Sequence, residues 1–273
     1  MRPDAWGLDP EARIIQNFHL FRKLVVRDLT VRFTGSALGV FWAVLQPLTL
    51  VALYWFVFTQ IFTLGIRGQA GQHYVEFLIA GLIPWLGMSE GLMRSATSLV
   101  DNAPLIRKLP LSGTLVVLVP NASALIFQCV GLAVFMVVLA VRGTFPAMIW
   151  MLPIPLLLQF ALQSGAGLFL AVTHGFFRDV TQIAGFALSV VFYLSPILYP
   201  VVPRFAHLFQ WNPLTPLLGL YRRALLGGIP GIGSTAALPD LSSIVYLTVI
   251  AFGLCLAGSA LMQRAQGDLA DLI

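Results

Sequence analysis

Charged residues are missing from five long stretches of this 273-residue sequence: 33–66, 109–141, 143–177, 180–203 and 241–263 contain no Asp, Glu, Lys or Arg. A helix needs about 20 mainly apolar residues to cross a ~30 Å hydrocarbon core. A sixth stretch, 75–93, fits that length and is interrupted only by Glu76 near one end and Glu90 near the other. The pattern predicts an all-α membrane protein with six transmembrane helices, at about 38–64, 75–93, 115–141, 150–172, 180–203 and 241–262. These form a membrane domain of 38–263 between an N-terminal segment, 1–37, and a polar tail, 264–273.

Four segments break the simple pattern. Within 11–32, Ile14, Phe18, Phe21, Val25 and Leu29 recur at helical steps with Arg13, Arg22, Lys23 and Arg27 between them, which predicts an amphipathic helix in the interface plane or packed on the rest of the protein from the cytosol. The connection 94–111 contains Asp101-Asn102-Ala103-Pro104, a helix start, then Leu105, Ile106, Arg107 and Lys108 before Pro110. It reads either as a short helix at about 101–110 or as an ordinary loop carrying basic residues. The stretch 180–203 has 15 residues before Ser195-Pro196, Tyr199-Pro200 and Pro203, so its regular helix covers about 22 Å at 1.5 Å per residue. Non-helical backbone at membrane depth is tolerated where it is buried or lines a wet cavity, so 194–203 should border a pore or a re-entrant turn. After it, Thr215 as N-cap, Pro216 at the first helical position, the face Leu217, Leu218, Tyr221, Leu225 and the stop Gly227-Gly228 predict a second short amphipathic helix at about 214–226, at the outer interface.

Composition agrees with the pattern: 58% hydrophobic and 10% charged residues with a mean hydropathy of +0.88 exclude a soluble domain, which carries about a quarter charged residues. With the six spans in place, eleven of the sixteen Lys and Arg residues flank one side and five the other. By the positive-inside rule both termini face the cytoplasm, and the start is expected to be retained, since residues 1–32 are too charged for a secretory signal. The net charge of +5 is this bias, with attraction to anionic headgroups. Nucleic-acid binding would need a basic soluble face instead.

Candidate chemistry is sparse. Cys129 and Cys255 lie inside apolar spans, and His19, His73, His174 and His207 sit in separate segments, so no local metal site is expected. The two lysines, Lys23 and Lys108, are each followed by Leu, which rules out a phosphate-binding Gly-x-x-x-x-Gly-Lys-Ser/Thr loop. Neither a Gly-x-Ser-x-Gly elbow nor a clustered acid, base and nucleophile suggests an enzyme. Glu90 and Arg94 stand four apart, acid first, a favourable structural pair, while Gly35-x-x-x-Gly39 and Gly87-x-x-x-Gly91 permit close helix approach without designating a face.

The order of several motifs carries a resemblance: Arg27-Asp28-Leu29 through Arg32-Phe33, Leu38-Gly39, Trp42 and Gln46-Pro47 at the start of span one, then Leu105-Ile106-Arg107-Lys108-Leu109-Pro110 before span three. Phe177-Arg178-Asp179 before span five, Ser195-Pro196-Ile197-Leu198-Tyr199-Pro200 within it, and Asn212-Pro213-Leu214 through Gly227-Gly228 complete the set. Over nearly its whole length the chain resembles the membrane subunit of polysaccharide-exporting ABC transporters of the O-antigen type, with capsule and teichoic-acid exporters as relatives. The resemblance implies a gate helix at the N-terminus, a coupling helix at about 101–110, and re-entrant and periplasmic gate helices within 195–226. It also implies a homodimer with two copies of a separate ATP-binding subunit, which would explain the missing phosphate loop. ATP and Mg would sit on that partner, with no cofactor bound by this chain.

The implied cargo is a polysaccharide linked to undecaprenyl diphosphate, moved from cytoplasm to periplasm across the inner membrane through a channel between two copies, since close-packed helices of one copy leave no lumen. Lys23, Arg27 and Arg32 are candidates for the pyrophosphate, although headgroup contact explains the same cations. Sugars stack their C–H faces on aromatic rings, so Trp42, Tyr54, Phe58, Phe192, Tyr193 and Tyr199 are candidates for a glycan channel, where an interfacial aromatic belt is the competing explanation. Leu105, Ile106, Arg107 and Lys108, with Arg178 and Asp179, are candidate contacts to the ATPase. Rival readings are a drug- or lipid-exporting ABC permease, a polytopic enzyme acting on lipid-linked sugars, and a secondary transporter, which would want ionisable residues at mid-depth.

Overall fold

A computed structural model describes residues 10–32, 41–57, 73–108, 112–201, 204, 206–228 and 239–272. Among these the chain is helical, without strands. Helix α1 spans Pro10–Val31 and α2 spans Phe41–Phe56, the described part of the first predicted span. Helix α3 (Tyr74–Asp101) is followed by the short α4 (Ala103–Lys108), α5 (Gly113–Val141), a single 3-10 turn at Ile149–Met151 and α6 (Pro153–Phe176). Then come α7 (Val180–Leu194), the one-turn α8 (Ala206–Phe209), α9 (Leu214–Leu226) and α10 (Leu241–Leu272). Four of the helical segments, Tyr74–Asp101, Gly113–Val141, Ile149–Phe176 and Leu241–Ala265, are long and apolar enough to cross a membrane, and Val180–Leu194 is a shorter apolar helix.

Local chemistry sets the ends. Asn102 closes α3 by donating its N–H and its Nδ2 to the Ser98 carbonyl, and its own carbonyl accepts the first bonds of α4 from Leu105 and Ile106. The helix start expected at 101–104 is therefore a junction, with α3 extending beyond 93 to Asp101. Gly143, at φ +73°, ends α5 in a left-handed residue, with Gly143 N–H on Ala140 and Thr144 N–H on Leu139, the pairing that satisfies the last carbonyls of a helix.

Helix α10 runs on through Leu272 into the stretch expected as the tail, 264–273, because hydropathy ends at Arg264 but nothing there interrupts helical hydrogen bonding. One expectation is corrected. Helix α9 begins at Leu214, where the Asn212 side chain accepts the Leu214 N–H at 2.9 Å, so Thr215 is not its cap. Nor does α9 bury one face alone: ten of its 13 residues are buried, Arg222 included.

Helix α3 is the centre of the bundle and packs on α2, α5, α6, α7 and α9. Its Gly87 and Gly91 lie directly against Gln128 and Asn121 of α5, closer than a side chain on either glycine would allow, so this glycine pair joins helices within one chain. One large apolar cluster surrounds α3 and α9, including Leu78, Leu82, Trp85, Leu132, Tyr221 and Leu225. A second, around Leu99, Val117, Leu168, Val172 and Met262, closes the end near α4.

Candidate functional site

A cavity of about 910 Å³ runs along α3 between α2, α5 and α7. The C-terminal turn of α1 closes one end, where Asp28 and Arg32 meet Glu90 and Arg94. The pairing is reciprocal: Arg32, the residue after α1, reaches Glu90 of α3 at 2.5 Å, and Arg94 of α3 reaches Asp28 of α1 at 2.6 Å. The pair expected within α3, Glu90 with Arg94, is the looser contact at 3.8 Å. The Arg32 guanidinium also lies 4.1 Å over the Phe127 ring, a geometry in which the ring quadrupole attracts the cation. Each side thus contributes one acid and one base, and the charged end of the cavity is neutral as a unit.

Away from the charges the wall turns aromatic. Phe192 packs against Tyr54 at 6.0 Å and Trp85 at 5.6 Å between ring centroids, and against Tyr193 edge-on at 5.1 Å. Tyr193 is mostly exposed to the open side, and Ser189 adds a hydroxyl to the lining. Gln128 forms part of the wall and is tied from behind. Its Nε2 donates to Gln159 Oε1 at 3.1 Å and to the Tyr221 hydroxyl at 2.9 Å, Gln159 Nε2 donates back to Gln128 Oε1 at 2.6 Å, and Tyr221 donates to Gln159 Oε1 at 2.6 Å. This closed ring of bonds joins α5, α6 and α9 in a buried region where water cannot substitute.

The cavity therefore brings together Arg32, Tyr54, Phe192 and Tyr193 of the predicted residues. Lys23 is exposed on α1 outside it, and Arg27 lines a separate cavity of about 160 Å³ with Leu105, between α1, α4 and α5. Trp42 is half exposed at the start of α2, and Phe58 lies outside the described residues. Tyr199 stands beyond the cavity, its hydroxyl on the Tyr193 carbonyl and its ring 6.4 Å from Phe209. On α4, Ile106 packs inward on the second apolar cluster while Arg107 is exposed. The Lys108 backbone is helical, and its side chain lies outside the described residues. Arg178 and Asp179 are both exposed in the turn between α6 and α7, where the Asp179 carbonyl accepts the N–H groups of Gln182 and Ile183.

Sequence reasoning missed Trp85, Phe127, Gln128 and Arg94 as cavity residues. Arg94 and Gln128 carried a signal, being polar residues in or beside an apolar run. Trp85 and Phe127 carried none, because their direction depends on how α3 and α5 rotate against each other.

The profile of the ABC-2 type transporter family matches residues 19–226. The chain is similar to the O-antigen export system permease protein RfbA of Klebsiella pneumoniae, at 27% identity over 93% of this chain and 96% of that protein. It is similar to the protein of the same name from Myxococcus xanthus at 24% identity, over 96% and 99% of the two chains. The polysialic acid transport protein KpsM of Escherichia coli is 25% identical over 85% of this chain and 90% of its own length. A family match over most of the sequence, on a bundle of apolar helices around an aromatic cavity, places this chain in the ABC-2 type transporter family as a multi-pass membrane subunit, a transport component rather than an enzyme.

Proposed function

We propose that this chain is the permease of an ATP-driven exporter that carries a polysaccharide linked to undecaprenyl diphosphate from cytoplasm to periplasm. Two copies form the channel at their shared interface, and two copies of a separate ATP-binding subunit drive it from the cytoplasmic side, where both termini lie. Helices α2 and α7 supply the first and fifth of six crossings. The observation that carries the reading is the cavity along α3, whose aromatic wall of Tyr54, Trp85, Phe192 and Tyr193 ends at the Asp28, Arg32, Glu90, Arg94 cluster. Aromatic faces hold pyranose rings loosely enough for a chain to slide, while arginine forks suit a diphosphate. The permeases similar to this chain are named for export of O-antigen and transport of polysialic acid, which favours a glycan over a drug.

In this reading Arg32 exchanges Glu90 for the pyrophosphate within the groove, and Lys23 and Arg27 attract the lipid headgroup from outside. Leu105, Ile106, Arg107 and Lys108, with Arg178 and Asp179, receive the push of the ATPase. The test is purification of the chain with its ATPase in lipid. Turnover should rise with added lipid-linked glycan, and deletion of the coding region should strip polysaccharide from the cell surface. Turnover raised equally by undecaprenyl phosphate without sugar, with surface polysaccharide intact, would favour lipid export instead.

A further inference from the structure

Helix α7 stops at Leu194 after covering only about 22 Å, and from there the carbonyls of a broken membrane segment have no helical partners. Each of the six carbonyls from residue 193 to 198 nevertheless has a donor. Tyr199 serves residue 193, and Asn212 serves 194 at 3.4 Å while also reaching the Ser195 hydroxyl at 2.9 Å. The Ile197 N–H serves 195 at 2.7 Å, and the Tyr74 hydroxyl serves 198 at 2.9 Å. The remaining two, Pro196 and Ile197, accept from Arg222 Nη2 at 2.7 and 3.2 Å.

Arg222 differs from the other donors in being charged. It is 4% exposed, its guanidinium lies 3.6 Å over the Phe77 ring, and among the described residues it meets no carboxylate. Its Nη2 occupies the space over Gly81, where a Cβ would come within 2.7 Å. Gly81 lies about 10 Å along α3 from Tyr74, so the cation is held well inside the bundle. A neutral donor would satisfy the same carbonyls without the cost of burying a charge lacking a counter-ion, and an ionisable group kept inside a membrane protein points to a working part. Its position supplies the work. The cavity along α3 ends at Leu82 on one side and at Phe192 and Tyr193 on the other, and the turn at 195–199 stands next in line, at the end opposite the Arg32 and Arg94 pairs.

We propose that Arg222 is the positioning residue that seats the turn at 195–199, within the stretch where the resemblance already implies gate helices, across this end of the groove, and that cargo hydroxyls unseat it by replacing the Pro196 and Ile197 carbonyls as partners of the guanidinium. The inference rests on the glycan reading for its cargo. If the turn withdraws without a substitute, one cation and two carbonyls are stranded in a dry place. A sugar both donates and accepts, so it satisfies the guanidinium and the carbonyls together. An apolar chain satisfies neither, which makes Arg222 a selector for hydroxyl-rich polymers as well as a latch.

The experiment uses the chain assembled with its ATPase in proteoliposomes, with Cys129→Ala, Cys255→Ala and Leu198→Cys, and a membrane-impermeant maleimide as probe. Leu198 is 4% exposed, so the introduced thiol should be protected at rest and label about ten- to a hundredfold faster during turnover with lipid-linked glycan, the span expected for breaking charge-assisted bonds. Arg222→Met should label at that fast rate at rest, Arg222→Lys should restore part of the protection, and Gly81→Ala should expose the thiol by displacing the guanidinium with the arginine retained. If Arg222→Met fails to assemble, Arg222→Lys and Gly81→Ala carry the comparison. Assembled Arg222 and Gly81 variants that stay protected at rest would overturn the seat. Exposure in the variants, with a parent that ignores lipid-linked glycan, would retain the seat and overturn the glycan reading.

Discussion

The buried amides of Gln128 and Gln159 show how a single side chain can matter more for what it leaves behind than for the bond it makes. Hydrogen bonds between membrane helices contribute about 0.6 kcal/mol on average, so the ring formed with Tyr221 adds little as attraction. Stranding one of its members costs about 1–3 kcal/mol. Gln159→Leu, which keeps the Gln128–Tyr221 bond but strands the Gln128 Oε1 and the Tyr221 hydroxyl proton, should therefore lower the melting temperature of the purified protein clearly more than Tyr221→Phe, which leaves the two amides paired. Equal shifts for the two variants would mean that the ring is wetter than its burial implies. Such residues were only half legible in the sequence. A Gln or Asn inside an apolar run is visible there, as with Asn121, Gln128, Gln159 and Gln163, but its partner comes from a helix 31 to 93 positions away.

The crossed ion pairs between α1 and α3 set the position of a whole helix. Partly exposed pairs contribute about 0–1 kcal/mol each, so Asp28–Arg94 and Arg32–Glu90 do not hold the fold together; they choose where the end of α1 rests. Arg32→Ala should leave folding intact and reduce the stimulation of ATPase turnover by lipid-linked glycan. Exchanging the partners, Asp28→Arg with Arg94→Asp, should recover more stimulation than either change alone. If both single variants respond to glycan like the parent, the clasp is packing only. Element boundaries were legible where backbone chemistry dictates them: α7 stops at the Ser195-Pro196 break and α9 at Gly227, because proline cannot continue a helix and glycine ends one cheaply. They were not legible where hydropathy and helicity part, as at the ends of α3 and α10. Charged side chains leave the hydrocarbon without leaving the helix.

Across the whole molecule, α4 turns Ile106 into the apolar cluster and leaves Arg107 exposed. Arg107→Glu combined with Lys108→Glu should uncouple ATP hydrolysis from export or prevent assembly with the ATPase; a double variant that co-purifies and exports normally would remove α4 as the point of contact. What the sequence determined alone was the solvent and the material of the fold. Uncharged runs of about 20 residues have no stable place outside a bilayer, and backbone in a bilayer must close its own hydrogen bonds, so helices follow whatever their packing. The sequence also lacks a phosphate-binding Gly-x-x-x-x-Gly-Lys-Ser/Thr loop, since Lys23 and Lys108 are each followed by Leu. Tertiary structure decided the rest: that Arg32 spends its charge on Glu90, that Trp85 joins the aromatic wall, that α9 is enclosed, and that Arg222 faces two carbonyls rather than an acid. In a helix that is apolar on every side no stripe marks the inner face, and only the rotation of one helix against the next selects which residues meet.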